Sequence, residues 1–490
     1  MNAFDFFFET TYSLNKEFVV GKEEISFTDL YIKSHSLSKI LRKKLGEEKM
    51  VILLSPNNVF FLICYLAILK SGNVCIPLDP MIDKDSLKYI YELTKPSLCC
   101  ITDQIQKRLE IDHIDFLTPE DIPEINLKQQ DISQSDFDSE KCAEIIFTSG
   151  STGSPKGVML SHKNLISNTE SILEYLNLSE KDRMLVVLPF YYCYGLSLLH
   201  THLRVGGSVV FNNSFMFLGA VINDLLQHQC TGFAGVPSHF QILLRKSDSF
   251  TTTHFPDLRY VTQAGGKLAT VFIDEFINAK PDVRFYVMYG QTEATARLSY
   301  LPPDLYNLRR GSIGKGISGV NLRVVNNNDL DVSPGEVGEV VAQGDNVMLG
   351  YFKDKQSTKT TIRNGWLYTG DLGTVDSDGF IYLTARKKEI IKVGGKRISP
   401  KEIEAIILGI PEVVDCTIVG VEDELQGEAL KATVVINADS TSDKIINGEY
   451  IKEHCANHLS LYKIPQIIEI KEQLTISATG KKIKKDYNRS

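Results

Sequence analysis

The run Phe147 to Gly157, FTSGSTGSPKG, packs hydroxyls, glycines and one lysine into a tight space directly after the strand-like AEIIFTS. A loop so composed can hold a polyphosphate. Gly150 and Gly153 let the backbone approach closely, amides and hydroxyls of Thr148, Ser149, Ser151 and Thr152 can donate to phosphate oxygens, and Lys156 adds positive charge. It is not a Walker A loop, because GxxxxGK[ST] does not fit. A flexible surface loop is the plainer account of the same residues.

Tyr289 to Ala294, YGQTEA, follows the apolar FYVMY. A carboxylate at the C-terminal end of a strand in an open α/β sheet sits where ligands bind. Glu293 could hold Mg²⁺, Thr292 could bond a phosphate and Tyr289 offers a flat face to a purine. Read alone, Glu293 fits a surface glutamate equally well. In YTGD, Asp371 could accept both hydroxyls of a ribose, with Arg386 further along to bond ribose and phosphate, or it could be a turn residue. Lys481, in SATGK, lies in a charged tail where lysines are usually solvated.

These segments need a scaffold. Between about residues 50 and 290, apolar runs such as VILLS, MLVVLP, GSVVF and FYVMYG alternate with stretches of helical spacing. That alternation predicts doubly wound, largely parallel α/β sheets. Ser161 is placed to cap a helix carrying Leu165, Ile166, Ile172, Leu173 and Leu176. Val59 to Leu69 is too short to span a bilayer and reads as a buried helix. From about residue 311, glycines and Asp378-Gly379-type turns predict a small β-barrel-type subdomain. After Glu389 strands and helices mix again, as in a smaller α+β domain.

The chain has 490 residues, 43% of them hydrophobic, and a net charge of −8, which argues against an electrostatic grip on nucleic acid. Nine cysteines without a CxxC read as reduced thiols of a cytoplasmic protein. The start MNAFDFFFETTYSL lacks a basic n-region and predicts neither a secretory signal nor an integral membrane segment.

The order FTSGSTGSPKG, YGQTEA, YTGD, ARKKEIIKVGGKRISPKEIE and SATGK, with NNVFFLICYLAILKSGNVCIPLDP and NVMLGYFKD, resembles the acyl-adenylate-forming superfamily. That family contains acyl-CoA synthetases, peptide-synthetase adenylation domains and firefly-type luciferases. The likeness runs from about Ile25 to Tyr487 and is nearest in look to acyl-CoA ligases. It implies a large AMP-binding domain over 1–387 and a small mobile domain over 388–490. It makes Thr148 to Gly157 the phosphate loop, and puts Gly265, Gly266, Tyr289 and Gly290 where adenine and acyl pockets meet. Gln291 and Thr292 then belong to the nucleotide site, and Glu293 to Mg²⁺. Asp371 and Arg386 take the ribose side, and Lys388 the hinge. Gly394 and Gly395 line a thiol tunnel, and Lys481 is the lysine of adenylate formation.

The implied activity is ATP-dependent conversion of a small carboxylic acid to acyl-AMP and then to a thioester, with coenzyme A as the acceptor. The alternative acceptor is the phosphopantetheine of an acyl carrier protein. An inactive nucleotide-binding scaffold is the rival of another class. The resemblance puts Tyr192, Tyr194, Gly195, Val236 and His239 around the acyl group. Ala385 and Tyr192 depart from the common pattern, which has glycine and often histidine there. Amino-acid-activating members carry an aspartate at the place Gly195 holds. That glycine and its aromatic neighbours therefore predict a neutral tail, fatty or aryl.

Overall fold

Val59–Ser71 forms the helix expected of its apolar run, and only Val59 and Lys70 are not fully buried. A helix apolar all round has no solvent face and must be enclosed. It packs on the helix Phe27–Leu45 and on the strands Met50–Leu54 and Val74–Leu78. Asn58 caps its start, and Gly72, at φ 79°, closes its end in the left-handed region where glycine is favoured. The computed structural model describes residues 1–110, 114–124, 137–148, 155–423, 427–437 and 445–472.

Those strands belong to a seven-stranded sheet. Its order is Gly350–Tyr351, Lys156–Ser161, Cys142–Thr148, Val74–Leu78, Met50–Leu54, Leu98–Ile101 and Phe116–Leu117. Pairing is parallel from Cys142–Thr148 through to Phe116–Leu117. A nine-stranded sheet has Arg284–Tyr289, Tyr260–Gln263, Gly232–Gly235, Arg183–Val186 and Ser208–Phe211 running parallel at its centre. Between the sheets lies the helix His162–Leu176, capped by Ser161 as its sequence predicts, in a box with Asn164. Thr148, Gln263 and Tyr289 all end strands, so the candidate site gathers at carboxyl ends.

The glycine-rich region forms an antiparallel sheet of five strands, among them Val320–Val325, Gly338–Gly344, Trp366–Val375 and Ile381–Arg386. Among the described residues this pairing stays open and does not close into the expected barrel. The long strand Trp366–Val375 gives its first residues to Ile362–Arg363 and its last to Ile381–Arg386. A further five-stranded sheet begins with the strand Ile391–Val393 and carries the helix Pro400–Ile407. It abuts the helix Pro237–Arg245, where Arg245 donates to Ile410 O at 2.8 Å and Asn437 Nδ2 donates to Arg245 O at 2.8 Å.

All nine cysteines are outside disulfides, and every one but Cys142 is buried. Among the described residues no helix is long and apolar enough to cross a membrane.

One polar chain crosses the core around the enclosed helix Val59–Ser71. Tyr65, on the enclosed helix, donates to Glu144 Oε2 at 2.8 Å, and His200 Nε2 lies 2.7 Å from the same hydroxyl. Burial pushes the Glu144 carboxyl up to about 7 and holds His200 neutral, down to about 3. An unfolded chain releases the Glu144 proton near pH 4. The folded protein keeps it to a higher pH, so ionisation costs stability. That cost is absent below about pH 4, grows as pH rises, and is complete above about pH 7. Glu144→Gln still accepts from Tyr65. It should leave stability at pH 4 nearly unchanged and raise it at pH 8 by on the order of 3 kcal/mol, measured by urea unfolding. Equal effects at both pH values would show that Glu144 does not titrate in this range.

Candidate active site

Asp371 and Arg386 face one another across adjacent antiparallel strands, as direct register partners. Their side chains meet, with Arg386 Nε 3.3 Å from Asp371 Oδ1. Tyr289, at the end of its strand, donates its hydroxyl to Asp371 Oδ2 at 2.7 Å. Burial pushes the Asp371 carboxyl above its ordinary range, against the pull of Arg386. The three side chains that the sequence assigns to nucleoside recognition therefore form one contact group.

Glu293 stands in a short 3₁₀ turn, Thr292–Ala294, and Oε1 accepts from Tyr351 at 2.8 Å. The backbone after it is strained. Thr295 has φ 65° and ψ −62°, and Ala296 N donates to Ala294 O at 2.7 Å, a three-residue turn of the rare hand. Such a conformation costs about 1–3 kcal/mol and persists only where neighbours hold it. Thr295 Oγ1 bonds Asn346 O at 2.8 Å, Asn346 Nδ2 bonds Arg297 O at 2.7 Å, and Met348 N bonds Glu293 O at 2.9 Å. The turn drives Ala296 O so close to Gly290 that a Cβ there would sit 1.9 Å away, so position 290 must be glycine.

Lys156 begins the strand Lys156–Ser161, opposite Thr148. Its Nζ lies 3.3 Å from Asp354 Oδ2, bonds the Ser357 hydroxyl, and stands 5.1 Å from the centre of the Tyr351 ring. Tyr351 thus touches both Glu293 and Lys156. The charges of Glu293 and Arg386 also act on Asp371, so the two groups are neighbours. Ser149, Gly150, Ser151, Thr152 and Gly153 lie outside the described residues, as does Lys481. Gln291 precedes the Glu293 turn, and Thr292 Oγ1 is 3.5 Å from Cys193 Sγ. Gly265 and Gly266 follow the strand Tyr260–Gln263, and the Gln263 amide folds back onto Gly266 O at 2.8 Å.

Lys388 is exposed, just past the Arg386 strand. Gly394 and Gly395 form the two-residue turn of the hairpin Ile391–Val393 and Lys396–Ile398, at φ 54° and 78°, with open space around both.

On the acyl side, Tyr194 is buried and its hydroxyl lies 2.8 Å from Thr262 Oγ1. Tyr192 precedes the helix Cys193–Val205, Val236 precedes Pro237–Arg245, and burial holds His239 neutral, down to about 3, against the Phe215 ring at 4.0 Å. A Cβ on Gly195 would lie 2.1 Å from Pro189 O, so packing at the start of the helix admits only glycine there. Sequence reasoning missed Tyr351, Asn346, Asp354 and Ser357. The first three lie in the segment NVMLGYFKD, and Ser357 lies three residues beyond it.

Parallel sheets with a lysine, a carboxylate and an aspartate–arginine pair converging at strand ends define a nucleotide-handling enzyme. Residues 9–352 match the model of the AMP-binding enzymes, and residues 402–481 match the AMP-binding enzyme C-terminal domain. The chain belongs to the AMP-binding enzyme family. It is 30% identical over 452 residues to the oxalate–CoA ligase of Arabidopsis thaliana, covering 88% of this chain and 86% of that one. It is 28% identical to the 2-succinylbenzoate–CoA ligase of Bacillus cereus, covering 95% and 93%. The crystal structure of ATP-bound MatB from Rhodopseudomonas palustris superposes with a TM-score of 0.86 at 25% identity, over 100% of this chain and 98% of that one.

Proposed function

We propose that this enzyme joins a carboxylic acid to coenzyme A in two steps at one site. The contact of Tyr289 and Arg386 with Asp371, beside the Glu293–Tyr351–Lys156 group, carries the reading. It supplies a diol acceptor, a metal-capable carboxylate and a cation within one cleft. The names of the two curated relatives point the same way.

In the first step an oxygen of the acid attacks the α-phosphorus of ATP, and the bond to pyrophosphate breaks. Asp371 accepts from the ribose hydroxyls, Arg386 and Thr292 face the phosphate, and Lys156 meets the departing pyrophosphate. Among the described residues no group of three or more His, Cys, Asp or Glu gathers to cage a metal. Glu293 alone fits Mg²⁺, which usually takes one or two carboxylates and completes its shell with phosphate and water. The ion would offset phosphate charge. In the second step a thiol attacks the acyl carbonyl and AMP leaves. Residues 388–490 turn about Lys388 between the steps, exchanging Lys481 for the Gly394–Gly395 turn. We place the enzyme in the cytoplasm. Acid-dependent exchange of pyrophosphate into ATP tests the reading, and no exchange across a broad panel of acids would refute it. Turnover with a holo carrier protein and none with coenzyme A would favour the carrier instead.

Gly395→Leu tests the thiol path. The turn has room for a side chain, so the variant should fold, at a cost of about 1–2 kcal/mol for its positive φ. Thioester formation should fall about tenfold or more while pyrophosphate exchange persists. Unchanged thioester formation would remove the turn from the thiol's path.

A further inference from the structure

Arg297 lies just beyond the Glu293 turn and is 2% exposed. No carboxylate among the described residues stands within ion-pair distance of it. Its Nε meets Met288 Sδ at 3.2 Å and its Nη1 meets Ala296 O at 3.3 Å, and its guanidinium stacks 4.0 Å from the centre of the Tyr194 ring. A thioether is a weak acceptor, and the Ala296 bond is long. The Tyr175 hydroxyl accepts a hydrogen bond from the guanidinium and itself lies 3.0 Å from Met288 Sδ. A guanidinium keeps its charge at any ordinary pH, and burying it without a counter-charge is expensive.

The surroundings hold a second unmet group. Tyr175, Tyr286 and Tyr300 form one aromatic wall, with Tyr175 and Tyr300 stacked at 4.2 Å and Tyr260 joined to it through Tyr286 at 6.4 Å. The Tyr260 hydroxyl is buried with no hydrogen-bond partner. A cation without an anion therefore packs on Tyr194, which the family resemblance puts beside the acyl group. It asks for a ligand that brings negative charge.

We infer that Arg297 receives an anionic group on the tail of the acyl substrate, so that the acid this enzyme activates is a dicarboxylic acid. The inference rests on the acid-activating reading above. One carboxylate goes to the α-phosphorus and the other to Arg297, with the wall of tyrosines around the carbons between them. A monocarboxylic acid of the same length leaves the guanidinium unpaired, and that penalty sets the specificity. Arg297 is then a specificity residue that takes no part in bond making.

Pyrophosphate exchange with matched pairs, hexanoate against adipate and benzoate against isophthalate, tests this. In the unmodified enzyme the better dicarboxylate should exceed its partner in kcat/KM by about 10²-fold, as expected for a charge left unpaired in a buried site. Arg297→Met should erase that preference mainly through KM and leave exchange with the monocarboxylate in place. Arg297→Lys, which keeps the charge, should restore part of it. If the unmodified enzyme prefers the monocarboxylates, the inference fails whatever the variants do, and adenylation stands. If Arg297→Met lowers both members of a pair equally, Arg297 is a packing residue and the inference fails. If no acid of any kind supports exchange, the adenylation reading falls and this one falls with it.

Discussion

Lys481→Ala should lower acid-dependent pyrophosphate exchange by about 10²-fold or more and largely spare thioester formation from premade acyl-AMP. The magnitude is that of removing one charged group that stabilises a transition state in a water-poor cleft. Attack of a carboxylate on the α-phosphorus gathers negative charge on both partners, and an ammonium held beside them offsets it in that step alone. In the second step a thiol attacks the carbonyl of a mixed anhydride and displaces AMP, already a good leaving group, so it has little use for the same cation. Lys481 lies outside the described residues, at the end of the span that matches the family's C-terminal domain. Separate assays of the two half-reactions check the split. Equal losses in both would deny Lys481 its place in adenylate formation.

Much of this site was legible in the sequence because it is built from local order. The pairing of Asp371 with Arg386 follows from a hairpin-like register, and the ends of Cys142–Thr148 and Arg284–Tyr289 follow from apolar runs that stop at polar residues. The helices Val59–Ser71 and His162–Leu176 announce themselves by composition and cap. What escaped is set by packing between distant segments. No spacing rule brings Tyr351 to Glu293, or Ser357 to Lys156. The reason position 195 is glycine was hidden in the same way, since the carbonyl that forbids a side chain there belongs to Pro189, outside the helix that carries the glycine. Arg297 reads as an ordinary charge in ATARLSYL until burial shows that it lacks a counter-ion.

Packing between distant segments also explains how a strained turn can carry the most exacting carboxylate of the site. Asn346 and Met348 bind the backbone on both sides of Thr295, and Asn164 Nδ2 bonds Asp345 O at 2.7 Å and Val347 O at 2.9 Å, so the brace is itself anchored to a long helix. Glu293 is thereby placed by three segments at once, and its position does not depend on its charge.

That independence makes Glu293→Gln a clean test. The amide oxygen can still accept from Tyr351, and the turn keeps Thr295, Asn346 and Met348, so stability should change by less than about 1 kcal/mol. The charge is lost, and with it the carboxylate proposed for Mg²⁺. Pyrophosphate exchange should drop by about 10²–10³-fold in kcat, the scale of losing one electrostatic stabiliser of a transition state. The Mg²⁺ concentration needed for half-maximal rate should rise. Tyr351→Phe, which leaves the carboxylate but removes its donor, should cost less, about tenfold. A loss under tenfold for Glu293→Gln, with an unaltered Mg²⁺ requirement, would mean that the carboxylate serves the turn and not the metal. The catalytic anion would then have to be sought among the other carboxylates of the cleft, with Asp354, beside Lys156, the first to try.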